Sequence, residues 1–260
     1  MPSVNQATKV FQEDIYRFGG ESIEILDAPA DTDWRRWGML NDRKLSRMYF
    51  FKEGCDDKLY QFLYVDGVYR YDSSVPALTI SYIVDDVKNN TKTDIRDQVD
   101  PSSIGMLSTP NFEEVNGVNG KPLPVPNNYH VYMQGVDNRK EIHQFIWEKG
   151  TENLEANGIT RAKFDVINFP EDTDWDRWAM TYDSNRYQLS LPAYVYYAFK
   201  QGSNTEIYYA RYGEKDEQGN DVYGYKDGVL TLEGAPENTD HSNFSVMFDG
   251  VDTHLYMLTK

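Results

Sequence analysis

Two short segments hold the residues best suited to chemistry. Asp31-Thr32-Asp33-Trp34 and Asp172-Thr173-Asp174-Trp175 each set two carboxylates beside an indole. Oxygen donors of this kind suit Ca²⁺ or another cation, which takes roughly six to eight oxygens, and Asp31, Asp33, Asp172 and Asp174 are the candidate metal ligands. An indole next to carboxylates suits the face of a sugar. Asp33 with Trp34 and Asp174 with Trp175 are therefore the candidate ligand-binding pairs. A local reading competes with both and is preferred. Asp-Thr-Asp ahead of a strand closes turns on its own backbone, and a tryptophan there packs against the sheet.

Other reactive groups are sparse. His130, His143, His241 and His254 are scattered without the spacing of a metal pair. Cys55 is the single cysteine, so no intramolecular disulfide is expected, and Asp56 and Asp57 beside it oppose a thiolate. No phosphate loop, dinucleotide fingerprint or nucleophile elbow occurs.

Forty-two acidic residues against 26 basic ones give a formal charge of −16. That field repels phosphate backbones and anionic lipids, so nucleic acid is not an expected partner. No apolar run approaches the ~20 residues of a membrane-spanning helix. The N-terminal Met-Pro-Ser-Val-Asn-Gln has no basic or apolar region, so the reading is a soluble chain without a visible signal peptide.

The elements that position the acidic segments repeat. Asp31 to Met39 and Asp172 to Met180 are identical at seven of nine positions, and weaker copies stand at Ser102 to Met106 and Ser242 to Val246. Trp37, Ile104, Trp178 and Phe244 anchor the four copies. Each anchor is followed by a small residue, Gly38, Gly105, Ala179 or Ser245, and then by another large one. Tyr49, Tyr132 and Tyr197 then lead aromatic segments, and ten residues beyond each comes Leu59, Ile142 or Ile207. Outer segments at Tyr69 to Ile80 and Tyr223 to Leu232 complete the pattern.

The fourth copy stops after two segments, at Tyr256-Met257-Leu258. Its missing pair stands at the start of the chain, as Lys9 to Gln12 and Tyr16 to Ile25. Segments rich in Tyr, Phe, Val and Ile, bounded by Gly, Asp, Asn or Pro, read as strands. Four strands per copy make small antiparallel sheets that must bury their faces against one another. The expected fold is all-β: one four-bladed β-propeller over 1–260, with blade 1 at 33–82, blade 2 at 102–168, blade 3 at 174–233, and blade 4 made of 242–260 closed by N-terminal strands in 8–26. Gly38, Gly105, Ala179 and Ser245 then make room for large side chains of a neighbouring blade. The two Asp-Thr-Asp-Trp loops should fold alike, related by a pseudo-twofold.

Within blade 2, Asn138 to Gly158 has partly helical spacing. A strand is preferred for Ile142 to Trp147, with a turn of helix at Glu148 to Gly158. Asp85 to Asp100 and Pro110 to Asn128 read as inserted loops.

Tyr49-Phe50-Phe51-Lys52, followed after a glycine by Leu59-Tyr60 and a tyrosine-rich outer strand, resembles the hemopexin-like repeat. The inner strand departs from it, reading Arg-Trp-Gly-Met where that family has Asp-Ala-Ala. The resemblance is one of architecture. It implies a binding scaffold with an axial channel able to hold ions and end surfaces that engage partners.

The expected function is a non-enzymatic scaffold that engages a protein partner, or a second copy of itself, through the propeller ends. A bound Ca²⁺ or other cation is open as a cofactor. Acidic loops, Asp31, Asp33, Asp172, Asp174 and Asp240 with Asp56, Asp57 and Asp137, gather at one such end. A lectin-like propeller binding a glycan through the Trp and Asp pairs is the alternative. A hydrolase with paired carboxylates is a second one.

Overall fold

The computed structural model describes residues 2–10, 13–42, 45–86, 91–111, 125–148, 162–182, 194–249 and 252–260. Their strands, in chain order, are β1 (Ser3–Lys9), β2 (Ile15–Phe18), β3 (Ile23–Leu26), β4 (Thr32–Asp42), β5 (Leu45–Lys52), β6 (Lys58–Val65), β7 (Val68–Tyr71), β8 (Leu78–Thr79), β9 (Ile83–Asp86), β10 (Thr91–Asp94), β11 (Val99–Asn111), β12 (Val125–Gly135), β13 (Glu141–Glu148), β14 (Ala162–Ile167), β15 (Thr173–Tyr182), β16 (Tyr194–Lys200), β17 (Glu206–Lys215), β18 (Asp221–Glu233), β19 (Ser245–Phe248) and β20 (Thr253–Leu258). Among the described residues the one helical element is a 3-10 turn at Arg96–Gln98. The chain is all-β.

Antiparallel ladders assemble four groups of four strands. β4-β5-β6-β7, β11-β12-β13-β14 and β15-β16-β17-β18 each follow chain order. The fourth, β19-β20-β1-β2, joins the two ends of the chain: Val4 pairs with Leu258 and Ala7 with both Leu255 and Phe18. Hairpin turns follow local rules. Between β6 and β7, Asp66 and Gly67 both have positive φ, 52° and 87°, which is the two-residue turn that matches strand twist and that Asp-Gly favours.

Short parallel pairs link neighbouring groups at their outer strands: β14 with β18, β18 with β2, and β7 with β3, which pairs in turn with β1 of the fourth group. Among the described residues no such ladder joins the first group to the second, so the hydrogen-bonded sheet stays open there. The innermost strands pack in a cycle. β4 lies against β11, β11 against β15, β15 against β19, and β19 against β4.

The small residues after the anchors sit at these contacts. A Cβ added to Gly38 would lie 2.7 Å from Met106 Cγ, and one added to Gly105 would lie 2.8 Å from Trp178 Cζ3. Trp37, Met39, Met106, Trp178 and Met180 are all buried. At the fourth position, Ser245 Oγ accepts from Met39 N at 2.8 Å.

Three local expectations need correction. The first N-terminal strand is Ser3–Lys9, ahead of the expected Lys9–Gln12, whose last two residues lie outside the described ones. Its buried positions are Val4, Asn5 and Ala7, one apolar, one polar and one small, and Asn5 is satisfied by Thr239 and Ser22. A search for large apolar residues passes over such a strand. Asp85 to Asp100 is not simply a loop: β9 pairs with β10, the 3-10 turn follows, and β11 starts at Val99. Pro110 to Asn128 begins and ends in strand, since Pro110 pairs opposite Pro126 after a register shift that follows Thr109. Its residues 112–124 lie outside the described ones, as do residues 149–158 of the expected helical turn. Ile142 to Trp147 does form a strand, within β13.

Candidate functional site

Each of the four groups opens its inner strand with an aspartate that accepts from the backbone N–H two residues on. Asp33 Oδ1 accepts from Arg35 N at 3.1 Å, Asp100 from Ser102 N at 2.9 Å, Asp174 from Asp176 N at 3.2 Å, and Asp240 from Ser242 N at 2.9 Å. These are Asx turns. The turn directs the residue at its third position toward the middle of the ring of inner strands.

Groups one and three elaborate the turn identically. Thr32 and Thr173 each donate N–H and Oγ1–H to the carbonyl of the proline three residues earlier. Arg36 Nε donates to Asp33 Oδ2 at 2.9 Å, and Arg177 Nε to Asp174 Oδ2 at 2.7 Å. Arg36 Nη2 then reaches the Lys52 and Cys55 carbonyls, and Arg177 Nη2 those of Lys200 and Ser203. Each guanidinium lies over a phenylalanine, Phe51 at 4.7 Å and Phe199 at 4.5 Å. The two loops fold alike.

This arrangement accounts for the acidic residues singled out from sequence. Burial alone would raise the Asp33 carboxyl, but hydrogen bonds from Arg35 and Arg36 outweigh it and hold the group below the usual carboxylate range. Asp31 pairs with Lys52 Nζ at 3.2 Å, and Asp172 Oδ1 accepts from Tyr208 O–H at 2.9 Å. Asp56 receives Arg36 Nη1 at 2.5 Å. Asp57 stands 3.5 Å from Cys55 Sγ, and Asp137 is exposed. Among the described residues no group of three or more His, Cys, Asp or Glu side chains gathers closely enough to hold a metal ion. The turn aspartates are distributed one to a group, and Asp33, Asp100 and Asp174 are held by arginines.

The tryptophans are engaged in packing. Trp34 stacks on Phe62 with centroids 6.0 Å apart. Trp175 lies against Phe169 and Tyr196, with Lys140 over its ring at 5.6 Å. Both are half-buried, and neither lines the recess described next.

All four Asx turns surround one open recess of about 850 Å³, to which every group contributes. Its walls include Asp33, Arg35 and Arg36 of the first group, Asp100 to Ile104 and Arg139 of the second, Asp176 and Trp178 of the third, and Ser242 and Asn243 of the fourth. A buried relay forms the floor. Trp178 Nε1 donates to Ser103 Oγ at 2.6 Å, and Ser103 Oγ donates to Gln134 Oε1 at 2.7 Å. Gln134 Nε2 donates to the Trp175 carbonyl at 2.9 Å and to Tyr196 Oη at 3.2 Å. Arg139 joins Asp100 to this relay by donating to Asp100 and to Gln134 Oε1. For Asp100 too, burial would raise the carboxyl, and bonds from Ser102 and Arg139 lower it.

Beyond the floor the axis is filled. At its far end Met39, Leu40, Leu107, Thr181, Tyr182 and the strand from Val246 to Phe248 enclose only about 10 Å³. Of the side chains there Thr181 offers a single aliphatic hydroxyl, and the volume is that of one water.

Arg36, Arg177, Asp100, Ser103, Gln134 and Arg139 escaped the sequence reading. The two arginines had a signal, since they occupy the same place in the nine-residue repeat. Asp100 had a fainter one, two residues before Ser102 as Asp240 is before Ser242. No family model matches the chain, and no curated protein matches it.

Proposed function

We propose that the chain is a four-bladed β-propeller serving as a non-enzymatic binding scaffold, and that its ligand or partner enters the recess at one end of the ring. The cyclic packing of β4, β11, β15 and β19, the outer-strand pairs between groups, and the joining of both chain ends in one group support the propeller reading. The observation that carries the binding role is that one recess receives residues from all four groups. A pocket of this size suits a small molecule or a projecting segment of a protein. Its floor is internally hydrogen-bonded, so it is held in shape before anything binds.

The test is a fragment screen by NMR on the wild-type chain and on Ser242→Trp, which fills the recess from an exposed rim position while keeping the backbone turn. Compounds that bind the first and not the second support the reading. A screen in which every binder is indifferent to Ser242→Trp overturns it.

A further inference from the structure

The third residue of each Asx turn lines the recess: Arg35, Ser102, Asp176 and Ser242. In the cyclic order of the inner strands, β4 and β15 are not neighbours, each being flanked by β11 and β19. Arg35 therefore stands across the rim from Asp176, and Ser102 across from Ser242. These are the only two of the four equivalent positions with charge, and their charges are opposite. Both side chains are open to solvent, at 86% for Arg35 and 82% for Asp176.

Each charge is paired within the protein but keeps an open side. Arg35 gives Nε and Nη2 to Asp33, at 3.1 and 3.3 Å, while Nη1 has no hydrogen-bond partner among the described residues. The nearest cation to Asp176 is Arg139 Nη2, at 3.7 Å. Arg139 is already committed to Asp100 and Gln134. The floor below offers no unsatisfied donor from Trp178 Nε1 or Ser103, so a ligand is read chiefly at the rim.

We propose that the recess selects a zwitterion, a short peptide with free termini, whose carboxylate meets Arg35 and whose ammonium meets Asp176. This rests on the binding role proposed above. A lone cation gains from Asp176 but is opposed by Arg35, and a lone anion the reverse, whereas a ligand bearing both gains at each end. The guanidinium fork matches a carboxylate. On the remaining sides the Ser242 hydroxyl, and the oxygen of Ser102, whose proton goes to Asp100 Oδ1 at 2.6 Å, face the peptide groups between. Packed sheets lie about 10 Å apart, so charges on opposite sides of the ring are set wider than the one-carbon separation of a free α-amino acid.

Pseudo-symmetry supplies a clean test. Arg35→Asp turns the first loop into Asp-Thr-Asp-Trp-Asp-Arg-Trp, the sequence of the third, and Asp176→Arg does the converse. Each substitution thus places a residue in a loop that already tolerates it. Glycine, diglycine, triglycine and tetraglycine would be titrated by NMR against wild type, both single variants and the double exchange, with N-acetyl-triglycine and triglycine amide as end-blocked probes. The expected result is binding of a free-ended peptide that falls at least about tenfold on blocking either end or on either single substitution, and returns to within about threefold in the double exchange.

The proposal is overturned if no glycine peptide binds at about 10 mM, if an end-blocked probe or glycine binds as well as the free-ended peptide, or if the double exchange fails to recover what the single variants lose. Should the peptides fail while other compounds are lost on Ser242→Trp, the zwitterion proposal falls and the recess remains the binding site. Should nothing respond to Ser242→Trp, both fall together.

Discussion

Arg36 grips Asp33, three residues earlier on the same strand, through Nε and Oδ2 at 2.9 Å. In a regular strand, residues three apart face opposite sides. They meet here because β4 shifts register between Asp33 and Trp37, as β15 does between Asp174 and Trp178, and such an irregularity re-aims side chains. The guanidinium then fastens the start of the inner strand to the turn that follows β5.

Arg36→Met should be costly, because it leaves the Asp33 carboxylate, 6% exposed, without one of its two arginines and strips the Lys52 and Cys55 carbonyls of a donor. Removing one partner of a buried pair costs about 3 to 5 kcal/mol. Arg177→Met should cost less, since Asp174 is more open at 24%. Lysine should rescue neither, having no fork to span these acceptors. Chemical denaturation of the four variants checks the order, and equal, negligible losses at both sites would refute it.

Gly105→Ala should destabilise more than Gly38→Ala. The new methyl meets the rigid Trp178 ring in the first case and the flexible Met106 side chain in the second. Overpacking costs about 1 to 3 kcal/mol, with Gly105→Ala toward the upper end. Thermal unfolding of the pair measures the difference.

Stability should fall as the solution is acidified from about pH 6.5 toward pH 4. Burial lowers the His130 imidazole to about 4, so over this interval the unfolded chain takes up a proton that the folded one refuses. The loss from His130 should approach about 3 kcal/mol and be absent from His130→Gln, which keeps the loss from His241, an imidazole that burial also lowers. Asp33 and Asp100, held below the usual carboxylate range, add their own loss as the pH falls through about 4, where the unfolded carboxyls take up protons before the folded ones do. Unfolding midpoints of wild type and His130→Gln across this range separate the contributions; parallel curves would exclude His130 as the source.

Gln134→Leu should loosen the recess floor. Gln134 is fully buried and serves Ser103, Arg139, the Trp175 carbonyl and Tyr196. Orphaning such groups costs about 1 to 3 kcal/mol. Faster hydrogen exchange at the Trp178 indole would report the loosening directly, and an unchanged rate would show that the relay does not depend on the amide.

The strand groups were legible in the sequence because their signal is additive. Anchor, small residue, aromatic segment and outer tyrosines recur at matched spacings, and packing between groups requires each of them. The site was less legible because its parts differ from copy to copy. Arg35, Ser102, Asp176 and Ser242 hold equivalent positions, yet one is a cation, one an anion and two are hydroxyls, so the Asx turn behind them is what marks the equivalence. Strand β1 was missed for a related reason: Asn5 is buried by hydrogen bonding to Thr239 and Ser22 instead of by hydrophobicity. The aspartates were found, with turn formation the preferred role, but the arginines that hold them were not. Nothing in the residue types says that a bulge brings Arg36 back to Asp33.

The pairing of β1 with β20 sets an order on how the molecule comes into being. A ribosome delivers β1 before β20, against which it lies, and the strands of the other three groups are made in between. Three groups can close while the chain is still tethered, but the fourth must wait. Strand β1 is thus made before the three groups that follow it and housed after them, and with Asn5 and Ala7 among its three buried positions it exposes little apolar surface while it waits.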